Sequence, residues 1–214
     1  MLHKGFVDKL GPDLSVRFAA LLGQTVLQAG DLATKQAAVG DSMFLVISGS
    51  CELITLTADR EDVTGVPAVR GDAVGVASML VPSYRYEATT RAGAGGATLG
   101  LLRASQFSSL IAQAQHDTEA AQLVQAVRAA ACLPVLALPP ALRCPQHLML
   151  LSHITSYLQA FQPLPAELCQ HLAGTMTHVH FPPGHSETVI LLSCICTAAF
   201  CVALVHRQSA MPID

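Results

Sequence analysis

Three Gly-Asp pairs divide the first half of the chain into short segments, and they constrain its fold more than any other feature. They lie at positions 30–31, 40–41 and 71–72. Glycine reaches backbone conformations that other residues avoid, and aspartate hydrogen-bonds to nearby backbone, so such pairs are typical of turns. The β-like apolar segments are 25–28, 44–47, 51–56, 88–91 and 98–102. Many short strands with frequent turns predict a β-roll or barrel rather than an α/β sheet.

Helical patterns flank the β-like region on both sides. They show apolar residues at spacings of three and four, with Pro12 suited to a first helical turn. Helices are predicted over 12–22, from 105, from 117 or 118 to about 131, and over 147–158. We therefore expect a mainly β fold with flanking α-helices, in the form of a double-stranded β-helix or jelly roll.

The composition excludes two broad classes of protein. Apolar residues make up 51% of the 214 residues and charged residues 13%, which excludes a disordered tail protein. A net charge of −3 excludes a generally basic nucleic-acid binder, so no nucleic-acid partner is expected. Residues 1–103 carry 19 of the 27 charged side chains. The second half is therefore expected to be buried, bound to a membrane or incomplete.

The run from 189 to 205 contains seventeen residues without a charge. As a helix it would cover about 25 Å, slightly short of a hydrocarbon core of about 30 Å. Three interpretations stay open: a C-terminal tail anchor, a buried strand or helix of a truncated domain, and a non-native ending. Membrane association is expected only if residues 189–205 form the anchor.

The cysteines and the first residues indicate the compartment. Seven cysteines at irregular spacing do not suggest a disulfide framework and favour reduced thiols. The first nine residues contain no uninterrupted apolar segment of the secretory kind. A cytoplasmic location is predicted.

A faint internal repeat relates the start of the chain to residues near 164, at an offset of 154. Each copy has a helical pattern, a strand pattern and a turn glycine, which is Gly30 in the first copy and Gly184 in the second. Beyond Gly184 the correspondence ends. The predicted organisation is a β-roll with flanking helices over 1–131, a Pro-rich connector and helix over 132–160, and an incomplete second copy with an apolar tail over 161–214.

The glycine framework over residues 26–50 resembles a known family. Gly30-Asp31 is followed by an eight-residue spacer, then Gly40-Asp41, and then an apolar strand that ends at Gly49. This order resembles the cyclic-nucleotide-binding domain family, found in regulatory subunits of protein kinase A and in cyclic-nucleotide-gated channels. The resemblance covers roughly residues 12–131.

The stretch from Gly71 to Thr89 resembles that family's phosphate-binding cassette. In the family, backbone N–H groups at a short helix start and an arginine hold the cyclic phosphate, and a glutamate accepts from the ribose hydroxyl. The ligand-binding residues that the resemblance implies are Gly75, Val76, Ala77, Arg85, Ala88 and Thr89.

The cassette departs from the family pattern at two places. Val76 stands where the glutamate is expected. The absence of the glutamate would weaken nucleotide binding by about tenfold to a hundredfold. Arg85 has the family's usual spacing from Gly75. In the family, however, the arginine stands two residues before the Ala-Thr pair, and that position holds Tyr86 in this sequence. The cassette therefore holds one extra residue, and Arg85 either reaches the phosphate through a bulge or points elsewhere.

The resemblance implies a non-catalytic regulatory module that binds cAMP or cGMP and transmits a conformational signal to an effector protein of kinase or channel type. Neither a cofactor nor a metal is expected. The alternative is a degenerate fold that serves as a structural or protein-interaction domain without ligand. A third and weaker hypothesis is a cupin-like metal enzyme built on His178, His180, His185 and Glu187.

Overall fold

The computed structural model describes residues 2–56, 61–63, 66–155, 166–178, 187–192 and 203–207. The chain divides into two compact units, Met1–Ala131 and Cys132–Asp214.

The first unit is built around one antiparallel sheet of eight strands. Its central path runs β1-β7-β4-β8-β2, while β3 pairs with β8, and β5 and β6 pair with β4. The strands are β1 (Leu2–His3), β2 (Gly23–Leu27), β3 (Leu32–Thr34), β4 (Ser42–Leu56), β5 (Glu61–Val63), β6 (Ala68–Val69), β7 (Ala73–Val74) and β8 (Thr89–Arg103). The predicted mainly β class with flanking helices is confirmed.

Strands β4 and β8 differ from the sequence prediction, which divided each of them into two short strands. Each is fifteen residues long, and they pair from Ser42 opposite Arg103 to Ile54 opposite Thr89. Gly49 has φ +75°, and a Cβ there would lie 2.2 Å from the carbonyl oxygen of Gly96. The register shifts beside Gly49, so this glycine bends a continuous strand instead of ending it.

The core of the sheet follows from the alternation of side chains along these strands. Apolar residues from β4, β6, β7 and β8 meet on its inner side. The buried members are Val46, Cys51, Leu53, Ala68, Val74, Ala92, Ala97 and Leu99.

Helices flank the sheet. They are α1 (Phe6–Leu10), α2 (Pro12–Ala20), α3 (Val76–Leu80), α4 (Ala104–Gln113) and α5 (Thr118–Leu136). Helices α2, α4 and α5 lie at the predicted places, α3 is the short helix that the family resemblance implies, and α1 was not predicted. Asp117 caps α5, because its Oδ1 accepts the backbone N–H of Glu119 at 2.8 Å. Helix α5 extends five residues beyond the predicted end at Ala131 and contains Pro134.

The second unit contains helices and a small sheet. The elements that follow α5 are a 3₁₀ turn (Pro140–Leu142), α6 (Pro145–Thr155), α7 (Ala166–Thr175), β9 (Met176–His178), β10 (Glu187–Leu192) and β11 (Ala203–Arg207). The three strands form an antiparallel sheet in the order β11-β10-β9. The predicted helix over 147–158 corresponds to α6, and residues 156–158 lie outside the described part of the chain.

The apolar run 189–205 has strands at both of its described ends. Val189 of β10 pairs with Val205 of β11, while residues 193–202 lie outside the description. Across the described ranges, no helix has the length and apolar character needed to cross a membrane. Gly184 of the predicted repeat and two of the four candidate metal ligands, His180 and His185, lie outside the described residues.

Asp72, from the third Gly-Asp pair, joins the N-terminal segment to the sheet. Its buried carboxylate accepts the backbone N–H groups of Gly5 and Val69, each at 2.9 Å, and the ammonium of Lys4 at 2.6 Å. Burial alone would raise the pKa of this carboxyl, but the Lys4 ammonium and the two N–H donors outweigh burial and lower the pKa. Asp72 is therefore a structural anchor as well as a turn residue.

We predict that Asp72→Ala lowers the free energy of unfolding by roughly 3 kcal/mol, because it leaves two backbone N–H groups without their acceptor. Asp31→Ala is the matched control: Asp31 is exposed, accepts the N–H of Gln28 at 2.8 Å, and should cost about 1 kcal/mol or less. Urea denaturation measures both. An equal loss in the two variants would contradict the anchoring role.

Candidate functional site

A small cleft of the first unit lies where the start of α3 faces the segment 84–90. It is lined by His3, Thr34, Leu53, Val74, Gly75, Val76, Ala77, Tyr84, Tyr86, Glu87, Ala88 and Thr90. The cleft is partly open to solvent, and its volume of about 10 Å³ is about the room for one water molecule. Four of the six predicted site residues line this cleft, and Arg85 and Thr89 do not.

The start of α3 requires glycine at position 75. Gly75 has φ +73°, and a Cβ there would lie 2.9 Å from both the carbonyl oxygen of Ser42 and the ring of Tyr86. The next two residues, Val76 and Ala77, are buried. The helix start is therefore packed closely against β4 and against a tyrosine side chain.

Tyr86 occupies the space beside this helix start. Its hydroxyl donates to the carbonyl oxygen of Ser42 at 2.8 Å, and burial raises its pKa. A Cβ on Gly40 would lie 2.5 Å from Ser78 Cβ and 3.1 Å from the Tyr86 ring, so both side chains pack against the Gly40 backbone, and the ring also packs against Gly75. These two glycines make room for an aromatic side chain of the protein itself.

Arg85 lies on the opposite side of its segment from the two neighbouring tyrosines. The backbone at 84–86 pairs antiparallel with 37–40, with Val39 opposite Arg85. Successive side chains of an extended segment point to opposite faces. Tyr84 and Tyr86 are accordingly buried, while Arg85 is exposed and its Nη1 donates to the carbonyl oxygen of Ala37 at 2.7 Å.

The Ala88-Thr89 pair is held by the backbone and hydroxyl groups of β3 and the residues after it. Thr89 Oγ1 accepts the N–H of Gln36 at 3.0 Å. Thr34 Oγ1 lies 3.1 Å from the carbonyl oxygen of Ala88 and accepts the N–H of Thr90 at 3.0 Å. Thr89 is thus the first residue of β8, and its hydroxyl is engaged by the backbone that follows β3.

The charge of the cleft favours hydrogen-bond donors over anions. Glu87 is half-buried and lines it, and the hydroxyl of Tyr84 donates to the Glu87 carboxylate. Among the described lining residues there is neither lysine nor arginine. A phosphate placed here would lie close to the Glu87 carboxylate.

His3 is a functional candidate that the sequence analysis missed. Its Nδ1 lies 3.3 Å from the carbonyl oxygen of Ala130 in α5. Pro134 is four residues further along α5 and has no N–H, so that carbonyl lacks its helical donor. A carbonyl only accepts, so His3 Nδ1 carries the proton and donates it, which leaves Nε2 as a bare acceptor.

The imidazole of His3 is fully buried, and its Nε2 has no hydrogen-bond partner in the described part of the chain. Burial lowers the pKa of His3 to about 4, so the ring is neutral at physiological pH. His3 therefore brings a neutral hydrogen-bond acceptor to the cleft from the N-terminal strand.

Comparison with known proteins gives matches among solved structures, while no family model and no curated protein matches the chain. A cyclic nucleotide-binding domain from Methylobacillus flagellatus is 12% identical, with 60% of this chain and 75% of that chain covered and a TM-score of 0.49. The N-terminal domain of a transcriptional regulator from Streptomyces coelicolor is 21% identical, with 58% and 84% covered and a TM-score of 0.47.

A cyclic nucleotide-binding-like protein from Brucella abortus is 15% identical, with 50% of this chain and 97% of that chain covered and a TM-score of 0.42. The chain is similar to cyclic nucleotide-binding domains. The function proposed below rests on the residues of the cleft in this chain.

We predict that His3 makes stability depend on pH in the acid range. The unfolded chain takes up a proton on His3 near pH 6.5 and the folded chain only near pH 4, so stability is lost as the pH falls between these values. The stability advantage of the wild type over His3→Gln should shrink by roughly 3 kcal/mol from pH 7 to pH 4.

Urea denaturation at several pH values measures this difference, in which the carboxyl groups common to both proteins cancel. His116→Gln, at an exposed histidine, is the matched control, and its difference from the wild type should stay within about 0.5 kcal/mol. A constant difference for His3→Gln would show that His3 titrates alike in the folded and unfolded chains.

Proposed function

We propose that the first unit is a non-catalytic regulatory module with the fold of cyclic nucleotide-binding domains, and that it acts through protein contacts without binding a cyclic nucleotide. The observation that carries this proposal is Tyr86. It stands two residues before Ala88, where the family pattern has the phosphate-binding arginine, and its buried ring packs against Gly40 and Gly75.

The cleft lacks the two charged groups that recognise a cyclic nucleotide in the family pattern. Val76 replaces the glutamate that accepts from the ribose, and Arg85 donates to a backbone carbonyl outside the cleft. A hydrogen bond to a charged group contributes about 1.5–3 kcal/mol, or about tenfold to a hundredfold in affinity. Losing both groups reduces the affinity for a cyclic nucleotide by the product of the two factors.

Opening the cleft for a nucleotide would also carry a packing cost. The Tyr86 ring would have to leave its place against Gly40 and Gly75, and its hydroxyl would lose the carbonyl of Ser42. A buried carbonyl that loses its donor and a core that loses an aromatic ring are both destabilised. The cleft is thus filled by the protein's own side chain.

The partner in this proposal is an effector protein, of the kinase or channel type that the family resemblance implies, and the setting is cytoplasmic. The cAMP-dependent or cGMP-dependent form of the module is the competing candidate. It is favoured by the glycine framework and by Gly75 at the start of α3, and the experiments below separate the two.

We predict that titration of the full chain with fluorescent cAMP and cGMP gives no saturable binding up to about 100 μM, because the expected affinity loss covers two charged contacts. Fluorescence anisotropy provides the measurement. Saturable binding by the wild type that disappears in Arg85→Ala, with an unchanged circular dichroism spectrum, would falsify the ligand-free proposal and support the cyclic-nucleotide-dependent module.

We also predict that the double variant Val76→Glu, Tyr86→Arg gains cyclic nucleotide binding at least about tenfold above the wild type. It returns a carboxylate to the helix start and a guanidinium to the inward-facing position of the segment. The control is Val76→Gln, Tyr86→Met, which has side chains of similar length without the charges. Equal affinity in the two double variants would contradict the proposed reason for the missing ligand.

A further inference from the structure

Two strained backbone positions mark the ribbon in which the segment 84–86 pairs with 37–40. Ala37 has φ +64° and Ser83 has φ +60°, and no other non-glycine residue in the described part of the chain has a positive φ. Ala37 begins one segment of the ribbon, and Ser83 directly precedes the other. Such strain persists only where the surrounding structure imposes it, and it is concentrated at binding sites and switch regions. The ribbon is therefore a candidate interaction site.

The outward side of the ribbon carries an arginine beside an apolar side chain. Arg85 and Val39 lie directly opposite each other in the antiparallel pair, so their side chains are on the same face, with Cβ atoms about 5 Å apart. Val39 is 56% exposed, and Arg85 is exposed as well. Arginine is enriched among the residues that dominate binding energy in protein interfaces, and covering an exposed valine adds buried apolar area.

The guanidinium of Arg85 is held in place and keeps donors for a further ligand. Its Nη1 donates to the carbonyl oxygen of Ala37 at 2.7 Å, so the long side chain is fixed on the strained residue. A guanidinium has five N–H donors in a planar fork, and Arg85 forms no ion pair with the residues that the structure describes. A charged group that is already ordered loses little entropy on binding, so Arg85 is pre-organised for a carboxylate.

The charges around the ribbon limit the kind of partner. Lys35 is exposed two residues before the ribbon, and Asp41 is exposed directly after it. Asp41 and the net charge of −3 disfavour a polyanion such as a nucleic acid or an anionic membrane. A peptide with a single carboxylate suits the fork of Arg85, and an apolar residue next to that carboxylate would cover Val39.

We propose that the outward side of the ribbon, formed by Arg85 and Val39, docks an acidic peptide segment of the effector protein. Arg85 binds an aspartate or glutamate side chain of that segment, and Val39 packs against an adjacent apolar side chain. Tyr84 and Tyr86 line the cleft, and Arg85 lies on the opposite side of their segment. The inference rests on the proposed function, because it assigns the protein contact through which a ligand-free module acts.

Selection of random heptapeptides displayed on phage against the full chain tests the proposal. We expect the enriched peptides to carry Asp or Glu next to an apolar residue. Arg85→Gln should weaken their binding at least about tenfold, and Val39→Ser about fivefold or more. Arg91→Gln is the matched control: Arg91 pairs with Glu52 at 2.9 Å, and its replacement should leave binding unchanged.

Selection without enrichment of acidic residues, or binding that Arg85→Gln leaves unchanged, would overturn the proposal. Two measurements on the wild type cover the case in which the variants do not fold. Replacing the acidic residue of an enriched peptide by Asn or Gln should lower its affinity about tenfold. Addition of the acidic peptide should shift the backbone amide NMR signals of residues 37–40 and 84–86. Unchanged affinity, or shifts confined to other elements, would also overturn the proposal.

The outcomes separate this proposal from the function on which it rests. Peptide binding that depends on Arg85, without cyclic nucleotide binding, supports both. Absence of peptide binding together with absence of nucleotide binding overturns the docking surface alone. Saturable nucleotide binding that is lost in Arg85→Ala overturns both, because Arg85 would then face the ligand cleft.

Discussion

The pairing of β4 with β8 is the interaction on which the first unit depends. The two strands run antiparallel over fifteen residues each, and every other strand of the sheet joins through one of them: β5, β6 and β7 through β4, and β2 and β3 through β8. The N-terminal strand β1 joins indirectly, through β7. Because Gly49 approaches Gly96 more closely than any Cβ would permit, the pair can bend without breaking. The bend therefore curves the two long strands that carry the rest of the sheet.

Much of this fold could be predicted from local chemistry, and the errors have physical causes. The Gly-Asp turn pairs, the helical spacing and the Asp117 cap each depend on only a few neighbouring residues. The fold class and the starts of most helices could therefore be predicted from the sequence. The strand bend at Gly49 could not be predicted, because a glycine with positive φ is equally common in a turn and in a strand bulge. The orientation of Arg85 depends on its pairing with 37–40, and a shift of one residue reverses the face of every side chain in an extended segment. His3 has no local signal at all, since its role depends on a proline 131 positions away in sequence.

In the proposed ligand-free module, the cleft belongs to the hydrophobic core. Val76 and Tyr86 stand where the family pattern has charged groups, both are buried, and Gly40 and Gly75 accommodate the tyrosine ring. Charged side chains that bind a ligand stay exposed to solvent while the ligand is absent. A packed aromatic ring stabilises the folded state whether or not a ligand is present. The same glycine framework therefore supports either a receptor or a closed structural module, and the residues between the glycines decide which of the two it is.

The bond from His3 to Ala130 has a consequence for the order in which the molecule is completed. As the chain is synthesised, His3 is made 127 residues before the carbonyl that it satisfies. The N-terminal parts of a chain emerge and fold first during synthesis. Here, however, His3, the second residue of β1, can form its hydrogen bond only after Ala130 in α5 has been made. The turn of α5 that Pro134 leaves without a donor is therefore completed by a side chain from the opposite end of the first unit, and only after both ends of that unit are in place.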